Sequence, residues 1–164
     1  MAEGNMYAFL KLDGIEGESQ DDAYKNQIEV QSFGWGASNS SSFRHGTGSG
    51  VGVGDTHDIQ ISKYTDKSSL TLMNKCTTGK TIPSGQLTLL KMQGETKIAY
   101  FKIELTDVVI TAWTMSGSGG GELPSENVTL HFVKHKTSYL PQGDTGDPTG
   151  NVDFSWDIQK NKAA

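Results

Sequence analysis

The sequence predicts a mainly β fold: a two-sheet β-barrel-like or sandwich domain with one short α-helix and a long extended loop. Three observations predict it. Apolar and polar residues alternate over segment after segment, the period of half-buried strands. One stretch alone, Thr65–Gly79, replaces that period with a spacing of three. The 20 glycines among 164 residues, with 34% hydrophobic and 20% charged residues, suit turns and extended chain better than a helical bundle. This length is that of one domain with a real core, so residues 1–164 are read as a single unit.

Taken in order, Tyr7–Leu12 is a strand ending at the Asp13-Gly14 turn signal. Ile28–Gln31 alternates and runs into a glycine–serine stretch, and His57–Tyr64 alternates after it, as hairpin partners with an oversized tip would. In Thr65–Gly79, Leu70, Met73 and Cys76 recur every three residues, Asp66 or Ser68 is placed to cap the start, and Gly79 to end it. This predicts the single helix, within 66–78, with those three residues on its buried face. Leu87–Met92 and Ile98–Leu105 flank a short hairpin connection, Gln93-Gly94-Glu95. A strand from Val108 to Met115 follows, then a second glycine loop. Val128, Leu130 and Phe132 share one face of the next strand, and Val152, Phe154, Trp156 and Ile158 one face of the last. The total is about eight or nine strands with the helix against an opening or edge.

The loop, about 34–56, is the least ordinary segment. Gly46, Gly48, Gly50, Gly52 and Gly54 alternate with Thr47, Ser49, Val51 and Val53. In an extended chain all five glycines fall on one face, and bare backbone there permits close approach of another surface. A loop of this length without packing of its own is expected to be disordered, or ordered by something outside the domain.

The chemistry-bearing residues assemble no reaction centre. His131 and His135 are four apart, but on a strand that spacing covers about 13 Å, too far for one metal ion; both read as half-exposed strand residues. Asp55 and His57 lack a third ligand. Asp144–Asp153 has oxygen donors, yet Pro148 interrupts it and the calcium-loop pattern is absent. No GxGxxG, P-loop or GxSxG frame occurs. Cys76 is the only cysteine, which excludes an intrachain disulfide. No enzyme, cofactor or metal is expected. A net charge of −5 without a basic run argues against nucleic acid. No apolar run reaches the ~20 residues of a membrane span, and the N-terminal residues show no secretory signal.

Landmarks along nearly the whole chain resemble the haemolysin-coregulated protein (Hcp) family, the tube protein of bacterial type VI secretion. They are Met6–Leu12 with Ile15–Ser19, Ser32–Gly36, Lys63–Ser68, Cys76–Lys80, Ser125–Leu130 and Phe154–Asn161. The resemblance implies a barrel-like domain assembled as a homohexameric ring, with rings stacking into a tube. A contractile sheath expels that tube, a trimeric spike protein of the VgrG type tips it, and small effector proteins travel in its channel. Location would be cytoplasmic before assembly and extracellular afterwards, without a signal peptide. In the family the early loop reaches beyond its own subunit. For this chain that makes Phe43, Arg44, Gly46, Gly48, Gly50, Val51, Gly52, Val53, Gly54 and Asp55 the expected subunit and ring contacts. The alternative is a monomeric β-sandwich binding module for carbohydrate or protein using Trp35, Trp113 or Trp156. Of these, Trp113 and Trp156 are expected to face a core, and Trp35, between glycines, to be exposed.

Overall fold

The computed structural model describes residues 6–40, 52–141 and 150–164. Its elements run β1 (Tyr7–Leu12), β2 (Ile28–Val30), β3 (Ser32–Gly34), β4 (Ala37–Ser38), β5 (Asp55–Thr56), β6 (Ile59–Tyr64), α1 (Ser69–Thr78), β7 (Ile82–Gln93), β8 (Thr96–Ser116), β9 (Ser125–Tyr139), β10 (Val152–Asp157) and β11 (Lys162–Ala163). The fold is mainly β with one short helix, as the alternation predicts. The additional strands beyond eight or nine are short ones, of which β4 and β5 lie in the loop.

Nine strands form one sheet in the order β11-β10-β9-β8-β7-β1-β2, with β6 pairing both β9 and β3. Because β2 runs through Gln31 directly into β3, and β3 pairs β6, the sheet curls back on itself. The N-terminal part of β9 pairs β6 and its C-terminal part pairs β10. The β4–β5 ribbon is the second, two-stranded sheet.

The largest difference from the sequence reading is in β8. Two strands separated near Thr106-Asp107 are in fact one strand of 21 residues. Asp107 has φ 54, in the left-handed region, and it inverts the alternation. Ile103 and Leu105 are buried before it, Val108 and Ile110 after it. A second irregularity between Ile110 and Ala112 turns the pattern again. Each inversion keeps apolar side chains inward while the strand bends, which is the use of a bulge. The β7–β8 hairpin turns through Gly94, whose φ of 61 suits a residue without a Cβ.

Helix α1 buries a different face from the one predicted. Leu72 and Ser69 are buried and Cys76 packs partly on the core, whereas Leu70 and Met73 are 75% and 44% exposed. The inward row is therefore 69, 72 and 76, the three-and-four spacing of a helix stripe. Asp66, not Ser68, supplies the start signal: its Oδ1 accepts the Ser68 N–H at 2.8 Å. Gly79 closes the other end in the left-handed conformation, donating to Lys75 O at 2.9 Å.

Val128, Leu130 and Phe132 are buried in the core as expected. On β10, however, Val152 and Phe154 are 63% and 58% exposed.

Candidate assembly surface

The loop starts from an anchored root. Trp35, expected to be exposed, is half-buried: its ring meets Phe132 at 6.3 Å and His135 at 5.0 Å, nearly edge-on to the latter. Its Nε1–H donates to His57 O at 3.0 Å. His57 in turn donates its backbone N–H to Gly36 O at 2.9 Å, and its Nε2 lies 2.9 Å from Ser38 Oγ. The outgoing and returning chains are thus tied together at Trp35–Ser38 and His57.

Of the expected contact residues, Phe43, Arg44, Gly46, Gly48, Gly50 and Val51 lie outside the described residues. Gly52 and Gly54 approach the same chain. Asn39 Nδ2 donates to Gly52 O at 2.8 Å, and a Cβ added at Gly52 would fall 2.5 Å from Ser40 O. A Cβ at Gly54 would meet Ser38 O at 3.6 Å, an ordinary contact. Asp55 pairs with Ser38 across the ribbon, and the Val53 side chain is 64% exposed. At Gly52 the close approach is therefore to the chain's own outgoing segment at Ser40.

His135 sits beneath this root. It is buried among Trp35, Phe132 and Phe154, with Nδ1 3.0 Å from Thr137 Oγ1. Expected to be half-exposed, it is enclosed because Trp35 covers it. Burial pushes its imidazole below the usual 6.5. The unfolded chain then binds more protons than the folded one below that value. Stability from neutral His135 is present in full above pH 6.5 and declines as the pH falls toward the lowered native value. Thermal midpoints measured from pH 7.5 to 5 should drop for the parent chain, with a flatter profile for His135→Gln. Equal slopes would mean that His135 does not carry the acid sensitivity. His131, by contrast, is exposed and paired with Asp58 at 2.7 Å.

A buried polar network went unread in the sequence. Lys63 and Glu126 are fully buried, 3.3 Å apart, and directly opposite one another across β6 and β9. Lys63 Nζ also reaches Asp66 Oδ1 at 3.0 Å and Ser69 Oγ at 3.1 Å. Ser69 Oγ donates a short hydrogen bond to Glu126 Oε2, and Trp113 Nε1–H donates to Glu126 Oε1 at 2.8 Å. The signal was available: Lys63 shares the inward parity of Ile59 and Ile61, and Glu126 that of Val128 and Leu130.

These placements bear on the alternative binding module. The indole N–H groups of Trp35 and Trp113 are both engaged, and the two side chains are half-buried. Trp156 is half-buried against Phe154, their rings 6.3 Å apart. None of the three stands free as a sugar-stacking platform. Among the described residues no group of three or more His, Cys, Asp or Glu side chains is placed to hold a metal, and no helix is long and apolar enough to cross a membrane.

The family described as type VI secretion system effector, Hcp, matches residues 9–139. The chain belongs to the Hcp family. It is 37% identical over 157 residues to protein Hcp1 of Pseudomonas aeruginosa, covering 95% of this chain and 97% of that relative. A solved structure titled as a type six secretion system protein superimposes with a TM-score of 0.91 at 29% identity, covering 98% of this chain and all of the other. Hcp1 from Salmonella typhimurium gives 0.78 at 32% identity, with 97% and 99% covered. This Hcp chain is thus a type VI secretion protein of a structural, non-enzymatic family.

Proposed function

We propose that this Hcp chain is the ring-forming unit of a type VI secretion tube: six copies close a ring, rings stack, and the channel carries small effectors. The sheath, the VgrG-type spike and the effectors are its partners, and the tube moves from the cytoplasm to the outside. The observation that carries the reading is family membership over nearly the full chain together with the anchored loop root. Trp35 and the His57–Gly36 bond tie together the two ends between which that segment runs. A projecting segment tied down at its base suits a contact with another copy, and in a ring such contacts are heterologous.

In this reading residues 43–55, from Phe43 and Arg44 through the glycines to Asp55, form the projecting contact. The test begins with mass: light scattering should give about six times the 17.7 kDa chain. Replacing Gly48 and Gly50 with valine should then reduce that mass toward one chain. Gly52 is left alone in this test, because a Cβ there would strain the root itself against Ser40. A single-chain mass for the parent protein would overturn the ring; an unchanged mass for the double variant would remove the glycine segment from its contacts.

A further inference from the structure

The hairpin of β7 and β8 outruns the sheet on both sides. β1 begins with Tyr7 opposite Leu90, and β9 ends with Tyr139 opposite Phe101. One further bond, from the Leu140 N–H to Tyr100 O at 2.9 Å, closes the β9 side. Beyond these positions Lys91 pairs with Ile98, Met92 with Lys97 and Gln93 with Thr96, and among the described residues no third strand joins them. The register changes at the same place. Leu89 is opposite Phe101 and Leu90 is opposite Ala99, so Tyr100 is the extra residue of a bulge. A bulge bends its strand and interrupts the ladder locally. Here it lies where support from the neighbouring strands ends, so residues 91–100 are an arm with a hinge at its base.

One face of the arm carries Lys97. Met92 and Lys97 are opposite one another and share the face of Leu90 and Ala99, on which Tyr7 also lies. The Lys97 ammonium sits 4.8 Å from the centroid of the Tyr7 ring and donates a short hydrogen bond to Asp21 Oδ2. Asp21 belongs to the connection between β1 and β2, residues 13–27. That connection is packed against β1: its Tyr24 stacks on Phe9 with ring centroids 4.9 Å apart and planes 5° from parallel. The carboxylate is braced there without help from the lysine. Asp21 Oδ1 accepts the Ala23 N–H at 3.1 Å, and the Asp21 N–H donates to Ser19 Oγ at 3.2 Å. Ser19 is fully buried, and its N–H donates to Gln27 O at 3.1 Å. A hinged arm is thus tied to a fixed carboxylate. Beside the tie lies a groove of about 550 Å³, lined by Tyr7, Phe9, Gln20 and Glu29 together with Asp21 and Lys97 themselves.

We infer that residues 91–100 swing on the Tyr100 bulge and that Lys97 is the clasp that holds them beside this groove. With the clasp closed, the arm and the 13–27 connection share one rim; released, the arm turns away and the groove opens along that rim. The clasp does not depend on the ring reading above. Both charges persist through the physiological pH range. Lys97 holds the Asp21 carboxyl below its usual 3.8, and Asp21 holds the Lys97 ammonium above its usual 10.5, with Tyr7 and Glu29 acting on the ammonium in the same direction. Ionic strength is the lever instead: the Lys97 side chain is 35% exposed, so salt screens the pair.

Hydrogen exchange along β7 and β8 tests the clasp. Lys97→Met keeps the reach of the side chain and removes its charge. Amides over residues 91–99 should then exchange about fivefold faster, the size of a part-exposed ion pair together with a cation–π contact. Amides at 87–89 and 103–105, on the barrel side of the bulge, should keep the parent rate. Asp21→Asn should loosen the same arm amides, and both substitutions together no more than Lys97→Met alone. Raising the salt from about 0.05 to about 1 M should speed the arm of the parent chain and leave that of Lys97→Met unchanged. Samples are compared at equal particle mass by light scattering, so that a change of assembly is not read as motion of the arm. An unchanged rate over 91–99 in Lys97→Met would overturn the inference. So would acceleration spread evenly across both sides of the bulge, which is loss of overall stability. Effects of the two substitutions that add would show Asp21 and Lys97 acting separately, and the clasp would fall.

Discussion

Lys63→Ala should cost about 3–5 kcal/mol of stability, the range for breaking a buried ion pair from one side. The ammonium is fully enclosed and serves Glu126, Asp66 and Ser69 together. Its removal leaves the Glu126 carboxylate in the core with Ser69 and Trp113 as its remaining donors. It also takes away the cation that holds Asp66, which in turn starts helix α1 through the Ser68 N–H. Loss should therefore appear first in the helix, as faster amide exchange over Ser69–Thr78, before the barrel unfolds. The double variant Lys63→Met with Glu126→Leu offers the contrast: replacing a whole buried pair with apolar side chains is often neutral or stabilising. Urea unfolding of both proteins decides the matter. A single variant within about 1 kcal/mol of the parent would show that water reaches the pair.

Phe132→Ala should be of similar size, about 3–5 kcal/mol, from lost burial and the cavity left behind. Phe132 is 1% exposed and its ring packs against both Trp35 and His135. The cavity would therefore open directly beneath the loop root. Besides a lowered unfolding midpoint, the Trp35 side chain should gain motion, and the His57 N–H that bonds to Gly36 O should exchange faster. Leu130→Ala, in the same strand and fully buried, is the control: it should lower stability without disturbing Trp35. Equal effects of both substitutions on the root would mean that Phe132 acts only through global stability.

The class of fold was legible because alternation is a direct record of which face meets the core. Val128, Leu130 and Phe132 needed no further information. The helix was legible in position and wrong in rotation: Leu70, Met73 and Cys76 form a regular row, yet the face turned inward is the one whose Ser69 reaches Glu126 and whose Leu72 reaches the core. A polar anchor outweighed apolar spacing there. β8 was read as two strands because its alternation inverts at Asp107, and an inversion in sequence resembles a break. The exposed row on β10 follows the core period faithfully; periodicity states the face and not whether anything covers it. Trp35 was misplaced for a related reason, since flanking glycines describe its backbone and say nothing of Phe132 and His135, about a hundred residues later. The groove in which Leu123 and Tyr64 lie beside Glu18 and Glu29 was not legible, because only the curl of the sheet brings these residues together.

The length of β8 has one more consequence. It pairs with β9 through fourteen residue pairs, from Phe101–Tyr139 to Ser116–Ser125, across both inversions of its pattern. Force directed along these strands loads their hydrogen bonds in shear, so the rungs share it, whereas force across them would open the ladder one rung at a time. Resistance to such loading is set by the rate of unfolding more than by equilibrium stability. A subunit thrust along the β8–β9 axis would yield late, and one peeled sideways from β10 would yield early.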